Sequence, residues 1–267
     1  MCQDQSISYL NAIGYNMVSL PREQFEPLMI FGGPPSDLQY LGSLSDLFLP
    51  GAPSPQIQRD DPAAEVVGHR SNRLESSVGF NLVGRLLGAF GGTGANASAG
   101  YSDAAAVQLV FLNVFHDFVA PLQVGNYIRS AQTQPGSLDM LRQYERVYII
   151  TDILKSNQFG IIAYDKEEES LQISADAIQD ILGAKGSMKI SNQADNVVCY
   201  TGEKQLRFGF RALGLSYDQK SAMLKLDIDH RFLVARAAME PQSTSFLPPE
   251  MYELLAVDQL IDIRFGR

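Results

Sequence analysis

Apolar and polar residues alternate in three stretches of the second half of the chain. The apolar positions are Leu171, Ile173, Ala175 and Ala177, then Leu206, Phe208 and Phe210, then Leu224, Leu226 and Ile228. Side chains two residues apart lie on the same face of a strand, so each stretch predicts a strand with one buried face. A sheet with one solvent-facing side and a membrane-spanning strand share this alternation, which alone does not separate them.

Longer apolar runs predict the centre of the sheet. Val107–Phe115 is almost continuously apolar and predicts a fully buried central strand. Val147–Leu154 predicts a further strand, and Met17–Leu20 and Pro27–Phe31 predict two more near the start. The proline-rich residues 50–62 are predicted to form a loop with little to pack.

A helical period replaces the alternation between residues 80 and 90. Its apolar positions are Leu82, Val83, Leu86, Leu87 and Phe90. Gly84, Gly88 and Gly92 follow each other four residues apart, which favours a helix docked closely on a sheet. A membrane helix is disfavoured because the segment is short and contains Arg85. Two further helices are predicted at 126–131 and 137–144, giving the α+β class.

The C-terminal end has a composition of its own. Residues 241–249 are polar and bounded by proline, which predicts an exposed, extended segment open to proteases. Pro249 is predicted to begin a helix that ends at Ile263. Its apolar face consists of Met251, Leu254, Leu255, Val257, Leu260 and Ile261. Two interpretations remain open: an ordinary terminal helix that completes the core, or a detachable latch.

Composition excludes several classes of protein. The net charge of −9 argues against a nucleic-acid partner, because phosphate binding needs clustered Lys and Arg. Two cysteines, Cys2 and Cys199, do not make a disulfide framework, so a reducing cytosol is expected. The sequence has no apolar window of 18 residues, so no transmembrane helix is predicted.

Catalysis is not expected either. His69, His116 and His230 lie far apart and outside any metal-ligand spacing, so no metal site and no cofactor are predicted. The sequence contains no nucleophile-elbow motif, and the glycine-rich residues 91–100 fit neither phosphate-binding pattern. Cys199 lies in an apolar run and is predicted to be buried and inert.

The N-terminal residues resemble the start of the bacterial gasdermins. The resemblance rests on Met1-Cys2, on Ile7-Ser-Tyr-Leu-Asn-Ala-Ile-Gly-Tyr-Asn16, on Leu20-Pro-Arg22 and on Pro27-Leu28. It is strongest over residues 1–50 and continues more loosely to about residue 230. On chemistry alone Cys2 is an incidental terminal cysteine, whereas the resemblance implies a palmitoyl group on it.

The resemblance implies an autoinhibited pore-forming protein that is monomeric and cytoplasmic at rest. A partner protease would remove a C-terminal peptide, and the remainder would oligomerise with membrane lipids as a β-barrel pore in the inner membrane. The pore-forming domain would be residues 1–240 and the inhibitory peptide 241–267. The cut is expected between Val234 and Glu250, at a bond that the sequence does not specify.

Two regions would become membrane-spanning hairpins, roughly residues 64–118 and 147–210. The residues predicted to enter the membrane are Leu82, Val83, Leu86, Leu87, Phe90, Leu171, Ile173, Leu206, Phe208 and Phe210. The fold implied is a strongly twisted, mostly antiparallel central sheet with peripheral helices. We therefore predict a pore-former that kills or arrests the cell in anti-phage defence. The alternative is a soluble β-rich binding or structural protein with a docked C-terminal helix.

Overall fold

The fold was analysed in a computed structural model. It describes residues 10–34, 37–71, 73–92, 97–174, 176, 188–193, 196–218, 223–227, 248–255 and 261–265. Cys2 and residues 234–247 of the expected cleavage window lie outside these ranges, so both remain predictions.

Eleven strands in the described residues form one sheet. They are β1 (Asn16–Arg22), β2 (Met29–Gly32), β3 (Leu38–Ser43), β4 (Gln58–Pro62), β5 (Leu74–Glu75), β6 (Ala106–Phe118), β7 (Val147–Tyr164), β8 (Lys189–Gln193), β9 (Val197–Asp218), β10 (Met223–Asp227) and β11 (Ile263–Arg264). The helices are α1 (Ser76–Ala89), α2 (Ala97–Gly100), α3 (Pro121–Ser130) and α4 (Pro135–Leu141), with short 3₁₀ helices at Leu44–Leu47 and Pro249–Met251. The α+β prediction is confirmed.

The three longest strands, β6, β7 and β9, form the centre of the sheet. The apolar run predicted as a central strand lies within β6, and the run beginning at Val147 begins β7. Strands β4 and β5 pair with β6, while β8 and β10 pair with β9. The pairs between these strands are antiparallel, whereas β11 pairs with β3 in parallel.

Helix α1 packs on the sheet as its period predicts. Leu82, Val83, Leu86, Leu87 and Phe90 are all buried in one cluster with residues of β6, β7 and β9. The tightest approach is at Gly79, where an added Cβ would lie 2.3 Å from Cγ2 of Val107. The prediction for Gly88 is wrong, because that position faces open space.

The alternation in β9 does not continue on one face as predicted. Gly209 pairs with Leu154 and Arg207 with Lys155, so Phe208 is an extra residue that forms a bulge. Leu206 and Phe208 consequently belong to the cluster beneath α1, whereas Phe210 lies in a separate core. A bulge reverses the face of every residue beyond it, and the period of two gives no sign of it.

The first alternating stretch is also not a strand in its described part. Leu171 and Ile173 lie in irregular chain and pack, partly buried, against the cluster beneath α1. The third stretch is confirmed as β10, in which Leu224 is buried.

The predicted C-terminal helix is wrong in the described residues. A single 3₁₀ turn at Pro249–Met251 is followed by irregular chain up to Leu255, and Ile263–Arg264 is a strand. Neighbouring strands take up backbone hydrogen bonds of Glu253, Ile261 and Asp262, so the apolar side chains of Leu255 and Ile261 reach the core without a helix. Within the described residues, no helix is long and apolar enough to cross a bilayer.

Candidate functional site

The end of the chain closes a ring of strands. Six strands are hydrogen-bonded in the order β1, β9, β7, β2, β3 and β11. Ile261, just before β11, forms a parallel bridge with Val18 of β1 and so returns to the start of this path. We call residues 248–255 and 261–265 the C-terminal segment, and the space between β1 and β3 that it fills the β1–β3 groove.

Backbone hydrogen bonds hold the C-terminal segment to both sides of the groove. The N–H of Ser19 donates to the carbonyl of Ile261 at 2.8 Å, and the N–H of Ile261 donates to that of Met17 at 2.9 Å. On the other side, the N–H of Leu38 donates to the carbonyl of Asp262 at 3.0 Å. One short stretch therefore satisfies backbone groups of two strand edges at once.

The ring encloses its own apolar core. Leu255 and Ile261 contribute to it from the C-terminal segment, and Ile261 is completely buried. The other buried members are Val18, Phe25, Phe31, Leu38, Tyr148, Ile150, Ile153, Phe210 and Ala212. Removal of the segment would therefore expose both apolar surface and backbone groups to water. The exposure of apolar surface alone costs a free energy of about 25 cal/mol for each Å².

Aromatic and ionic contacts fix the last described residues. The ring of Phe265 lies 5.5 Å from that of Tyr40 and 6.0 Å from that of Phe31, with the guanidinium of Arg22 5.3 Å from its centre. The hydroxyl of Ser19 donates to the carboxylate of Asp262. Arg264 forms an ion pair with Asp37 at 2.8 Å, on the solvent-facing side of β11.

The earlier part of the C-terminal segment is held by the side chain of Asn16. Its amide donates to the carbonyl of Glu253 at 2.9 Å, and its oxygen accepts from the N–H of Leu255 at 2.8 Å. Asn16 is fully buried, so these two bonds satisfy groups that water does not reach. The N–H of Glu253 also donates to the carbonyl of Ala212 of β9 at 2.9 Å.

Gly14 allows the segment to pass close to the N-terminal turn. Its φ of +82° belongs to the left-handed region, which favours glycine. An added Cβ would lie 2.9 Å from the carbonyl oxygen of Pro249. Both the turn and the close contact therefore require the absence of a side chain.

A buried polar cluster lies below this contact. Arg211 is stacked between Tyr15 and Tyr252, 4.1 Å and 4.9 Å from the two ring centres, and it forms an ion pair with Asp152 at 3.3 Å. The hydroxyl of Tyr15 donates to Asp152 at 2.8 Å. Burial raises the pKa of Tyr15 well above its ordinary value of 10.0, and the charge of Asp152 raises it further, so this hydroxyl keeps its proton. Nδ1 of His116 lies 3.3 Å from the same carboxylate.

A second charged cluster attaches β4 to the sheet. Lys155 is almost completely buried and forms ion pairs with Asp60 at 2.8 Å and with the fully buried Asp117 at 2.6 Å. Arg59 pairs with Glu26 at 2.7 Å. The prediction of a loop over residues 50–62 is therefore wrong at its end, where β4 forms although all five of its residues are exposed.

The structure brings together only part of the predicted inhibitory face. Leu255 and Ile261 are buried, Met251 is partly buried, and Leu254 is exposed. Val257 and Leu260 lie outside the described residues. The sequence analysis missed Asn16, Arg211 and Tyr252, because the contacts that each makes arise only from the fold. Asn16 directly precedes the predicted strand Met17–Leu20, and nothing in the sequence indicates that its side chain is buried.

The described residues include a small apolar cavity beneath α1. An apolar cavity of about 30 Å³ lies between α1 and the strands below it. Its lining includes Met17, Leu86, Phe90, Phe111, Leu206 and Phe208. A cavity of this size holds about two water molecules, so a longer part of a palmitoyl chain would require α1 to shift.

Comparison with known proteins places this arrangement in a family. A profile described as "Bacterial Gasdermin Family" matches residues 18–222. The gasdermin bGSDM of a Vitiosangium species is 38% identical over 216 residues, which cover 79% of this chain and 80% of that protein. The gasdermin bGSDM of Lysobacter enzymogenes is 28% identical over 254 residues, or 93% of each chain.

A solved structure agrees in fold. The bacterial gasdermin from Bradyrhizobium tropiciagri superimposes with a TM-score of 0.62 at 17% identity, over 96% of this chain and 95% of that one. The sheet with its peripheral helices is thus a gasdermin fold. The chain belongs to the bacterial gasdermin family.

Proposed function

We propose that this chain is an autoinhibited pore-forming protein that a partner protease activates by cutting off its C-terminal peptide. One observation carries the proposal: the C-terminal segment closes the ring and covers the edges of both β1 and β3. Its contacts with the domain are noncovalent, so after a cut between Val234 and Glu250 only these contacts would hold the peptide in place.

The resting fold would already contain, in buried form, the apolar surfaces that the pore needs in the membrane. Strands β6 and β7 lie within the two regions proposed to become membrane-spanning hairpins, residues 64–118 and 147–210, and β9 lies within the second region up to Phe210. The apolar side of α1 and the residues Leu206 and Phe208 share one buried cluster. Separation of α1 from the sheet would turn this cluster into two lipid-compatible surfaces. Closure of the strands into an oligomeric barrel would satisfy their backbone groups in lipid.

Cys2 would carry the palmitoyl group, which supplies an apolar chain for the resting domain or the bilayer. In the resting domain, α1 and β6 would hold the end of such a chain in their shared cavity. We further propose that the protein is cytoplasmic before the cut, that the homo-oligomer acts at the inner membrane, and that the resulting leak kills or arrests the cell in anti-phage defence.

Dye release from liposomes tests the pore. A recognition sequence for a specific protease is inserted within residues 241–247 of the full chain, and leakage is recorded before and after cutting. Leakage only after the cut, with ring-shaped oligomers visible in the membranes, is the expected result. The matched controls are the same chain without the inserted site and the same mixture with inactive protease.

The soluble alternative predicts a different outcome. A binding or structural protein whose end merely completes the core would lose stability on cutting and precipitate without leakage. Precipitation without dye release, repeated for several cut positions in the window, would overturn the pore proposal.

A further inference from the structure

The β1–β3 groove has the geometry of a peptide-binding site that adds a strand to a sheet. In such sites backbone hydrogen bonds supply affinity and alternate side chains supply selectivity. Here the last residues bond to Met17 and Ser19 on one side and to Leu38 on the other. Both neighbours run parallel to the added strand.

The side chains of the bound strand each meet a different surface. Ile261 enters the apolar core, and Ile263 packs partly buried against it. The carboxylate of Asp262 faces Ser19, and Arg264 faces Asp37. Phe265 lies between aromatic rings and beneath a guanidinium. The groove therefore fits an extended peptide whose five residues are, in order, apolar, acidic, apolar, basic and aromatic.

The rims of the groove lie in a part of the chain that the proposed membrane rearrangement does not involve. Residues 16–22 and 37–43 form its two edges, and both precede residue 64, where the first of the two proposed hairpins begins. The floor includes Ile150 and Phe210 of β7 and β9, which do belong to the second hairpin region. The groove thus exists as described only until the sheet rearranges.

We propose that the β1–β3 groove rebinds the released C-terminal peptide in trans, so that the cut chain and its peptide form a reversible inhibited complex. This inference rests on the proposed function and adds the means of its regulation. Cutting removes no contact within the groove. It removes only the covalent tether, which holds the peptide at an effective concentration on the order of millimolar.

The consequence is that activation depends on concentration. At high protein concentration the cut pair stays associated, and dilution or removal of the peptide releases the pore-forming domain. A second event, loss of the peptide, then separates cleavage from pore formation in time.

The test uses the full chain with the inserted protease site and a fluorophore at its C-terminus. The chain is cut in solution without membranes, and anisotropy is followed as the mixture is diluted. We expect the peptide to remain bound at first and to dissociate reversibly. Unlabelled peptide of residues 248–267 should displace it, and in liposome assays an excess of this peptide should restore inhibition.

Peptide variants test whether the groove reads the sequence. An Ile261→Ala peptide should bind about 30-fold more weakly or worse, because it loses a fully buried side chain. A Leu254→Ala peptide is the matched control, since that leucine is exposed, and its affinity should change by no more than about twofold.

A charge exchange tests the parallel register. Asp37→Arg in the domain should weaken binding of the wild-type peptide by about threefold, as expected for the loss of an exposed ion pair. An Arg264→Asp peptide should recover this loss of affinity. An antiparallel strand would not place these two residues together.

The outcomes distinguish failure of the groove proposal from failure of the pore proposal. Immediate dissociation at every concentration, or an Ile261→Ala peptide that competes like the wild type, overturns the groove proposal even where leakage occurs. Selective rebinding without any leakage leaves the groove in place and overturns the pore. If the cut domain aggregates once the peptide leaves, the onset of turbidity reports binding instead. Only the wild-type and Leu254→Ala peptides should delay it.

Discussion

Strands β4 and β11 are both short strands that pair with the edges of longer ones, yet different forces attach them. Strand β11 and the preceding Ile261 bring apolar side chains into an enclosed core. All five residues of β4 are exposed, and Arg59, Asp60 and Asp61 form ion pairs with Asp117, Lys155 and His116 of the sheet. The comparison shows that the same pairing geometry can depend on apolar burial in one place and on charge in another.

The two means of attachment differ in their tolerance of change. A buried ion that loses its partner keeps its desolvation cost, so the attachment of β4 depends most on its buried members, Lys155 and Asp117. An apolar attachment loses contacts in proportion to the area removed and is insensitive to salt. We propose that the C-terminal segment stays in place until it is cut, and apolar burial would hold it there under varying ionic conditions.

The largest effect is expected at the charged attachment. Lys155→Met leaves the fully buried Asp117 without its closest cation, and breaking a buried pair costs about 3–5 kcal/mol of unfolding free energy. Urea denaturation at equilibrium measures the loss. The control is the double variant Lys155→Met with Asp117→Leu, which removes both charges and should recover much of it; no recovery would mean that the pairing of Asp117 is not the cause.

Ile261→Ala tests the apolar attachment at its most buried side chain. Truncation of a buried isoleucine costs about 2–5 kcal/mol. We also expect the uncut variant to release dye from liposomes faster than the uncut wild type. Leu254→Ala, at an exposed position of the same segment, should change stability by less than about 0.5 kcal/mol; equal effects of the two changes would contradict the assignment of Ile261 to the core.

Asn16→Ala tests a neutral polar contact that holds the C-terminal segment. It leaves the carbonyl of Glu253 and the N–H of Leu255 without their buried partner, at a cost of about 1–3 kcal/mol. Hydrogen exchange of the Leu255 amide should increase together with the loss in denaturation free energy. Asn126→Ala on the exposed side of α3 serves as the control, and an unchanged Leu255 amide would exclude the proposed bond.

The smallest effect is expected at the rim of the charged attachment. The Arg59–Glu26 pair is partly exposed, so Arg59→Gln should cost no more than about 1 kcal/mol. Repeating the denaturation at high salt should shrink this difference and leave that of Ile261→Ala unchanged. A salt-independent cost at Arg59 would show that packing of its aliphatic stem, not charge, attaches β4.

The sequence predicts those elements whose pattern has a single structural solution. The continuous apolar run of β6 and the helical period of α1 both led to correct elements, and the buried face of α1 was correct as well. The prediction that the run in β6 is fully buried was wrong at Asn113, which is exposed. The bulge at Phe208 was not predictable, because an inserted residue changes the face of a strand without changing its composition. The partners of β4 could not be predicted either, since Lys155 and Asp60 are far apart in the chain.

The prediction of a helix in the C-terminal segment failed for a different reason. Apolar residues at helical spacing can be buried by a helix or by a non-helical chain that runs between two strands. Tertiary contacts decide which of these two conformations forms. Here β1 and β3 offer unpaired edges on both sides of the chain, which an isolated helix cannot use. Burial of Leu255 and Ile261 was predicted, but the form of the segment that carries them was not. An inhibitory role for this segment stays a prediction.

Closure of the ring by one strand has a consequence for assembly. Removal of a strand from a closed ring opens two edges rather than one, and each open edge is a template for pairing with another chain. The two edges, β1 and β3, differ in sequence and lie side by side on one subunit. Subunits with two unlike edges join head to tail, and such contacts produce either closed rings or endless filaments according to the rotation between neighbours. If the segment leaves as proposed, each subunit would expose two unlike edges, the number that a head-to-tail polymer requires.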